Sequence, residues 1–359
     1  MSQNAPSGAF CFDSLIRMAK EKLMQELRVD PNGLVWGYWH GRDNVAMSVG
    51  PEEVERALAR VHDAGDDKGF LWLHFNLSQA STERWLREHA PLPPEFFEAL
   101  QQGSRSTRIE QVDDSLIAVV NDVLHGFSFE PSELSTLWLW VTPKVVISAR
   151  RKPLKSVDRL RQAVQNGARI QTSVELLTHL LRDQADVLIG IVRDAVIRTD
   201  KIEDDLLAGR LDQKRSNLGG LRRVLVRLQR LMAPEPAALF RLLQRPLVWI
   251  SDNDLQELRQ SSEEFSAVLT DMASLQERIK LLQEEIAAMV DERNSKSLYT
   301  LSVFTVVALP INLIAGLFGM NVAGIPLADH PHGFWLVVAL VAGVTSIAFW
   351  LIGRGGGEG

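Results

Sequence analysis

Two long stretches without a single charge dominate the C-terminal end of this 359-residue chain. Between Lys296 and Asp329 there is no Asp, Glu, Lys or Arg, and between Asp329 and Arg354 there is again none. The first stretch carries Leu298 to Phe318, about 21 residues or roughly 32 Å of helix, which matches the ~30 Å hydrocarbon layer of a bilayer. The second carries Phe334 to Ile352, of similar span. A buried hairpin in a soluble core is the alternative. Two membrane-length segments after about 297 mostly polar residues read instead as a two-pass anchor or pore.

The flanking charges orient these spans. Arg293 and Lys296 precede the first and Arg354 follows the second, whereas the loop from Gly319 to Gly333 has no Lys or Arg. Because positive residues gather on the cytoplasmic side, both termini are expected in the cytoplasm, beneath an inner or plasma membrane. Trp335 and Trp350 bracket the second span, where indoles favour the two interfaces. Met1 to Asp13 lacks a basic start followed by an apolar run, so no signal peptide is expected. The single cysteine, Cys11, excludes a disulfide framework and a Cys-rich zinc ribbon. A net charge of −6 argues against a nucleic-acid partner for the chain as a whole.

Ahead of the first span lies a seven-residue apolar repeat: Leu258, Phe265, Met272, Ile279 and Ile286, interleaved by Val268, Leu275, Leu282 and Met289. Ser251-Asp252-Asn253-Asp254 has the form of a helix N-cap, and no helix breaker occurs from Leu255 to Val307. One stalk helix is therefore expected to run into the membrane, about 68 residues and on the order of 100 Å long. Packing within the chain is one use of the stripe. Its length and its continuation into a span favour symmetric self-association.

Thr172-Ser173-Val174-Glu175 is a capping box opening another long helix that closes near Gly209. A helical pair, Leu218 to Met232 and Pro236 to Leu243, follows. From Arg210 to Arg245 nine Lys or Arg stand against Asp212 and Glu235, a net of about +7. No aromatic platform accompanies them, so a solvated face or one near anionic lipid headgroups is favoured over nucleic-acid binding. Before Gly167, strand-like runs at Gly33–Trp39, Phe70–Asn76, Leu116–Val120, Leu137–Val141 and Val145–Ser148 mix with helical patterns at Pro51–Ala64, Ser81–His89 and Pro94–Gln101. This gives an α/β domain. It holds no phosphate loop, His-Glu-x-x-His or nucleophile elbow, and His40, His62, His74, His89 and His125 lack ligand spacing.

The first span is not uniformly apolar. Ser302, Thr305 and Asn312, with Leu298, Leu309 and Gly316, occupy one stripe of its surface. Polar groups at membrane depth are costly unless they face a partner or water. Pro310 also leaves the carbonyl of Val306 without its usual donor, which is tolerated beside another helix or a water-filled cavity. A pore-lining face is the direct reading, and interhelical adhesion is the alternative.

The stripe ends in Gly319-Met320-Asn321, followed by Gly324-Ile325-Pro326. Here the chain resembles the CorA superfamily of divalent-cation transporters, whose hallmark is a Gly-Met-Asn motif closing the first of two C-terminal spans. Supporting stretches are Arg108-Ile109-Glu110-Gln111, expected before a strand, and Val145 to Arg151 leading into Lys152-Pro153-Leu154. The resemblance implies an α/β cytoplasmic domain (1–167), a helical region (168–250), a stalk (251–297), a pore-lining span (298–319), an outer loop (320–333), a second span (334–352) and a cytoplasmic tail (353–359). It also implies a homopentameric funnel in lipid, with its pore on the five-fold axis and no bound cofactor. Asn321 would hold a hydrated ion at the outer mouth, shaped by Gly319 and Met320. Asn312, Thr305 and Ser302 would line the polar pore, with Leu309 and Leu298 as apolar constrictions that gate by dewetting.

The residues after the motif are similar to the zinc-transporting ZntB branch, which implies Zn²⁺ as cargo and proton-coupled uptake. Asp329, His330 and His332 cluster in the outer loop, and zinc accepts imidazole where magnesium prefers oxygen. Magnesium, cobalt and nickel are the alternatives. Two features depart from the magnesium-type pattern: a tail poor in basic residues, and a basic rather than acidic helical pair. A membrane-anchored enzyme would need clustered titratable groups, and none is visible. A purely structural oligomer would explain the heptads but not the polar stripe.

Overall fold

The computed structural model describes residues 32–41, 46–63, 69–103, 107–130, 132–208, 214–320 and 331–355. It divides into two compact units between Lys280 and Leu281. In the first unit, seven strands form one sheet: β1 (Leu34–His40), β2 (Ala46–Ser48), β3 (Phe70–Asn76), β4 (Arg108–Val112), β5 (Ser115–Val123), β6 (Leu134–Val141) and β7 (Val145–Arg150). Their order is β2-β1-β3-β7-β6-β5-β4. Strands β3 and β7 pair in parallel, from Leu71 opposite Val145 to Asn76 opposite Arg150. The other pairings are antiparallel.

Strands β5 and β7 are buried along their whole length, so both faces of the sheet need cover. Helices α1 (Val54–Asp63), α2 (Ala80–His89) and α3 (Pro94–Gln102) supply it on one side, where Leu86, Phe96 and Leu100 join Leu71, Leu73, Phe75 and Ile147 in one cluster. On the other side α4 (Lys155–Gln165), α5 (Ser173–Leu207) and α7 (Pro234–Gln244) bring Val157, Leu160, Leu177 and Leu239 to Trp72, Leu137, Leu139 and Val146. The expected α/β domain is thus a three-layer sandwich. Arg108 to Gln111, expected to precede a strand, itself forms most of β4, and the short β2 and the polar α4 are additional elements. Gly33, before β1, has φ of +76°, and a Cβ there would lie 1.9 Å from the Thr82 hydroxyl. Only glycine fits that turn.

Helix α6 (Lys214–Met232) leads to α7, whose first residue is Pro234, where a missing N–H costs nothing. Helix α8 (Asp252–Phe318) is the expected stalk running unbroken into the first apolar span, and α9 (Gly333–Gly355) is the second. Packing within the chain, one of the two uses expected of the heptad stripe, accounts for most of it. Leu258, Phe265, Met272, Ile279 and Ile286, with Val268, Leu275 and Leu282, are buried within the single chain, and Met289 is half-buried.

For the part of the stripe before Lys280, α5 runs alongside, and the two helices start side by side. Thr172 caps α5 by accepting the Glu175 N–H at 2.9 Å, and Ser251 caps α8 by accepting the Asp254 N–H at 3.1 Å. The Thr172 hydroxyl also donates to the Asp254 carboxylate at 2.8 Å, which ties both caps together. Further along, Arg182 faces Glu257 at 3.9 Å, and Arg278 meets Asp200 at 2.7 Å and also Glu203. The partners advance together, so α5 and α8 run parallel. A stripe already buried this way supplies no argument for self-association. Accordingly, Ile279→Asp should unfold this unit outright, because it places an unpaired charge in a packed seam at a cost of about 4 kcal/mol or more. Arg278→Ala, at an exposed ion pair, should cost under about 1 kcal/mol. Thermal melting of the full-length protein reads both, and a folded monomer released by Ile279→Asp would contradict this packing.

Two carboxyls lie fully inside the unit. Asp122 accepts from Ser156 N and Oγ, both at 2.9 Å, and burial, the largest influence, pushes its pKa up to about 6. Glu235 at the start of α7 receives Gln184 Nε2 at 3.2 Å, its Oε1 has no partner, and burial pushes it up to about 8. The folded protein therefore holds a proton on Glu235 across a range where the unfolded chain has lost it. A folded-state pKa raised above the unfolded value means that stability declines as pH rises from about 4.5 towards 8. Glu235→Gln should flatten that decline and raise the melting temperature most at pH 8. An unchanged pH profile would contradict the buried neutral acid.

Candidate functional site

The site is the membrane-length end of α8. At about 100° per residue, Leu298, Ser302, Thr305, Leu309, Asn312 and Gly316 fall within an arc about 80° wide. All six are exposed on the single chain, Leu298 at 64% and Leu309 at 61%. The most apolar stretch of α8 has no residue buried within the chain, and α9 is almost as bare. Both helices are long and apolar enough to cross a membrane. Such a helix in hydrocarbon is stable alone only if its polar groups bond inside their own turns. Thr305 does so, donating to the Leu301 carbonyl at 2.9 Å. Pro310 sits inside the helix and lacks the N–H that the Val306 carbonyl would accept.

Chemically the stripe offers two hydroxyls and one carboxamide and no charge. Neutral oxygens of this kind interact with a hydrated cation without trapping it. The intervening leucines narrow the same face with groups that water wets poorly. At the C-terminal end of α8, the Gly319 N–H bonds to the Ala315 carbonyl at 2.9 Å, and a Cβ on Gly319 would approach that oxygen to 2.9 Å. Glycine lets the last turn close there. Met320 follows, exposed.

Asn321 and Gly324-Ile325-Pro326 lie outside the described residues, as do Asp329 and His330. His332 is described: it is exposed, and its carbonyl accepts the Leu336 N–H at 3.2 Å as α9 begins. Among the described residues, no group of three or more His, Cys, Asp or Glu is placed to hold a metal. In the first unit His40 and His74 are buried, while His89 and His125 face Glu55 at 3.5 Å and Asp158 at 3.1 Å. Sequence reasoning missed the partners of His74, namely Ser148 and Arg150. The signal available was their alternation on β7 beside β3.

Comparison with known proteins agrees with this geometry. The family model described as CorA-like Mg2+ transporter protein matches residues 67–354. The chain is 30% identical over 331 residues to the divalent cation transporter CmaX of Pseudomonas aeruginosa, covering 90% of this chain and 97% of that protein. It is 28% identical over 281 residues to the zinc transport protein ZntB of Pectobacterium carotovorum, covering 78% and 86% respectively. The solved structure of full-length CmaX superposes with a TM-score of 0.74 at 27% identity, covering 90% of this chain and 98% of that one. These relatives are transporters, not enzymes. With a family model spanning most of its length and a relative matched nearly end to end, the chain belongs to the CorA-like Mg2+ transporter family.

Proposed function

We propose that this protein transports divalent cations across the inner or plasma membrane, zinc first among them, through a homopentameric pore lined by α8, with both termini in the cytoplasm. The observation that carries the reading is the stripe of Ser302, Thr305 and Asn312 on a helix end that its own chain leaves bare. Copies of α8 arranged about an axis would turn that stripe to a shared water-filled lumen and their remaining apolar surface to α9 and lipid. Burial of the heptads within one chain moves the argument for assembly from the stalk to this span.

In this mechanism a hydrated ion arrives at Asn321, whose amide oxygen takes over part of the interaction with the ion's water shell. It then passes the carboxamides of Asn312 and the hydroxyls of Thr305 and Ser302. The rings of Leu309 and Leu298 close the path by excluding water when the helices approach. Zinc is supported by the similarity to ZntB and by the imidazoles of His330 and His332 beside Asp329. Proton-coupled uptake belongs to the same reading. Magnesium, cobalt or nickel is the second reading, supported by the family model.

The test is metal flux into liposomes carrying the purified protein, comparing Zn²⁺ with Mg²⁺, with and without a pH gradient. Asn321→Ala should lower flux at least tenfold while the oligomer stays intact by mass measurement, and Asn321→Asp should slow release by holding the ion too firmly. Replacing His330 and His332 by Ala should reduce zinc flux more than magnesium flux. Undiminished flux in Asn321→Ala would overturn the role of the mouth, and equal loss for both metals would overturn the role of the histidines.

A further inference from the structure

We infer that the cytoplasmic unit holds a binding site for a small tetrahedral oxyanion of the phosphate class, centred on Arg150 and Arg161 beside Trp36. This site is independent of the ion pathway. Arg150 closes β7 and is only 8% exposed. Its Nε donates to His74 Nε2 at 2.8 Å, so that nitrogen is an acceptor and the imidazole is neutral, with its proton on Nδ1. Nδ1 lies 2.8 Å from Ser148 Oγ, which also receives Trp72 Nε1 at 2.9 Å and donates to the Leu73 carbonyl at 3.2 Å. Burial first, then the charges of Arg150 and Arg161, hold the His74 pKa well below the usual imidazole range.

Trp36 stands opposite His74 beyond a register shift between β1 and β3, and its indole stacks on the imidazole at 4.1 Å and 14°. Both guanidiniums lie over that indole, Arg161 at 4.5 Å and Arg150 at 6.0 Å from the ring centre. What the cluster lacks is an acceptor. The buried N–H of Trp36 and the buried Nε–H of Arg161 have no partner. The acidic charge felt by Arg150 is that of Asp158, whose carboxylate lies 3.1 Å from His125 Nδ1.

Buried charges are ordinarily paired, and two neighbouring cations raise each other's cost. Asp158 offsets part of the charge of Arg150, and an oxyanion would add negative charge beside both guanidiniums and supply the missing acceptors, for which the planar guanidinium fork suits tetrahedral oxygens. Arg161, on α4, is half-buried, so the cluster is not sealed from solvent. The location adds to the argument, because Asn76 and Arg150 end the parallel pair β3 and β7. Ligands of α/β sheets gather at the carboxyl ends of parallel strands.

The test is thermal melting of the full-length protein in detergent at fixed ionic strength, with chloride exchanged for inorganic phosphate or for glycerol phosphate. A site gives stabilisation that follows the logarithm of ligand concentration above a midpoint, whereas a general salt effect grows linearly with concentration. A midpoint with either phosphate supports the site, and which of the two is tighter tells a free ion from a phosphomonoester. Arg161→Gln should abolish the midpoint. Arg161→Lys, which keeps the charge but loses the fork, should raise it about tenfold, or 1.4 kcal/mol of binding. A purely linear response of the unmodified protein to both phosphates would overturn the proposal, as would an unchanged midpoint in Arg161→Lys.

Discussion

A hydroxyl or carboxamide in hydrocarbon must find a hydrogen-bond partner, and that requirement governs what α8 can be. Thr305 meets it within its own turn, through the Leu301 carbonyl. Asn312 carries two N–H donors and an acceptor, more than one turn of helix can satisfy. Pro310 adds a backbone carbonyl with no donor. A helix with these groups along one arc and no cover from its own chain is stable in a bilayer only against other copies or around water. Both outcomes suit the proposed assembly, and the family to which the chain belongs is one of transporters.

The first unit solves a different problem, that of fixing where a very long helix begins. Helix α8 starts at a cap shared with α5, since Thr172 bonds both the Glu175 backbone and the Asp254 carboxylate. Aromatic and aliphatic side chains from Leu258 to Ile279 then bury against the unit from which the helix emerges. Up to Ile279, the helix is thus part of the domain's core rather than a free rod. A movement within the α/β sandwich would act on the base of α8 through packed contacts and ion pairs such as Arg278 with Asp200.

Much of this was legible in the residues. Charge-free length revealed the spans, the Thr-x-x-Glu box placed the start of α5, and short strand-like apolar runs located β3, β5, β6 and β7. Heptad spacing, however, records only that one face of a helix is buried. It does not say whether the neighbour is α5 of the same chain or a second copy, because both present the same apolar surface. Helix α4 was missed because only Val157, Leu160 and Val164 mark its inner face among polar residues. The buried cluster of Trp36, His74 and Arg150 joins three strands, so no local pattern announces it. The polar stripe was legible for the opposite reason: six residues on one helix, at spacings of three and four, need no tertiary information to share a face.

The central claim is that this face lines water. Its most direct measurement is the reaction of single cysteines, introduced one at a time into a Cys11→Ala background, with a charged thiol reagent in proteoliposomes. Ser302→Cys, Thr305→Cys and Asn312→Cys should be modified, and modification should block metal flux. Val307→Cys and Ile314→Cys, on the opposite side of α8, should stay unmodified. Equal reactivity around the helix, or modification confined to the Val307 side, would contradict a pore lined by this stripe.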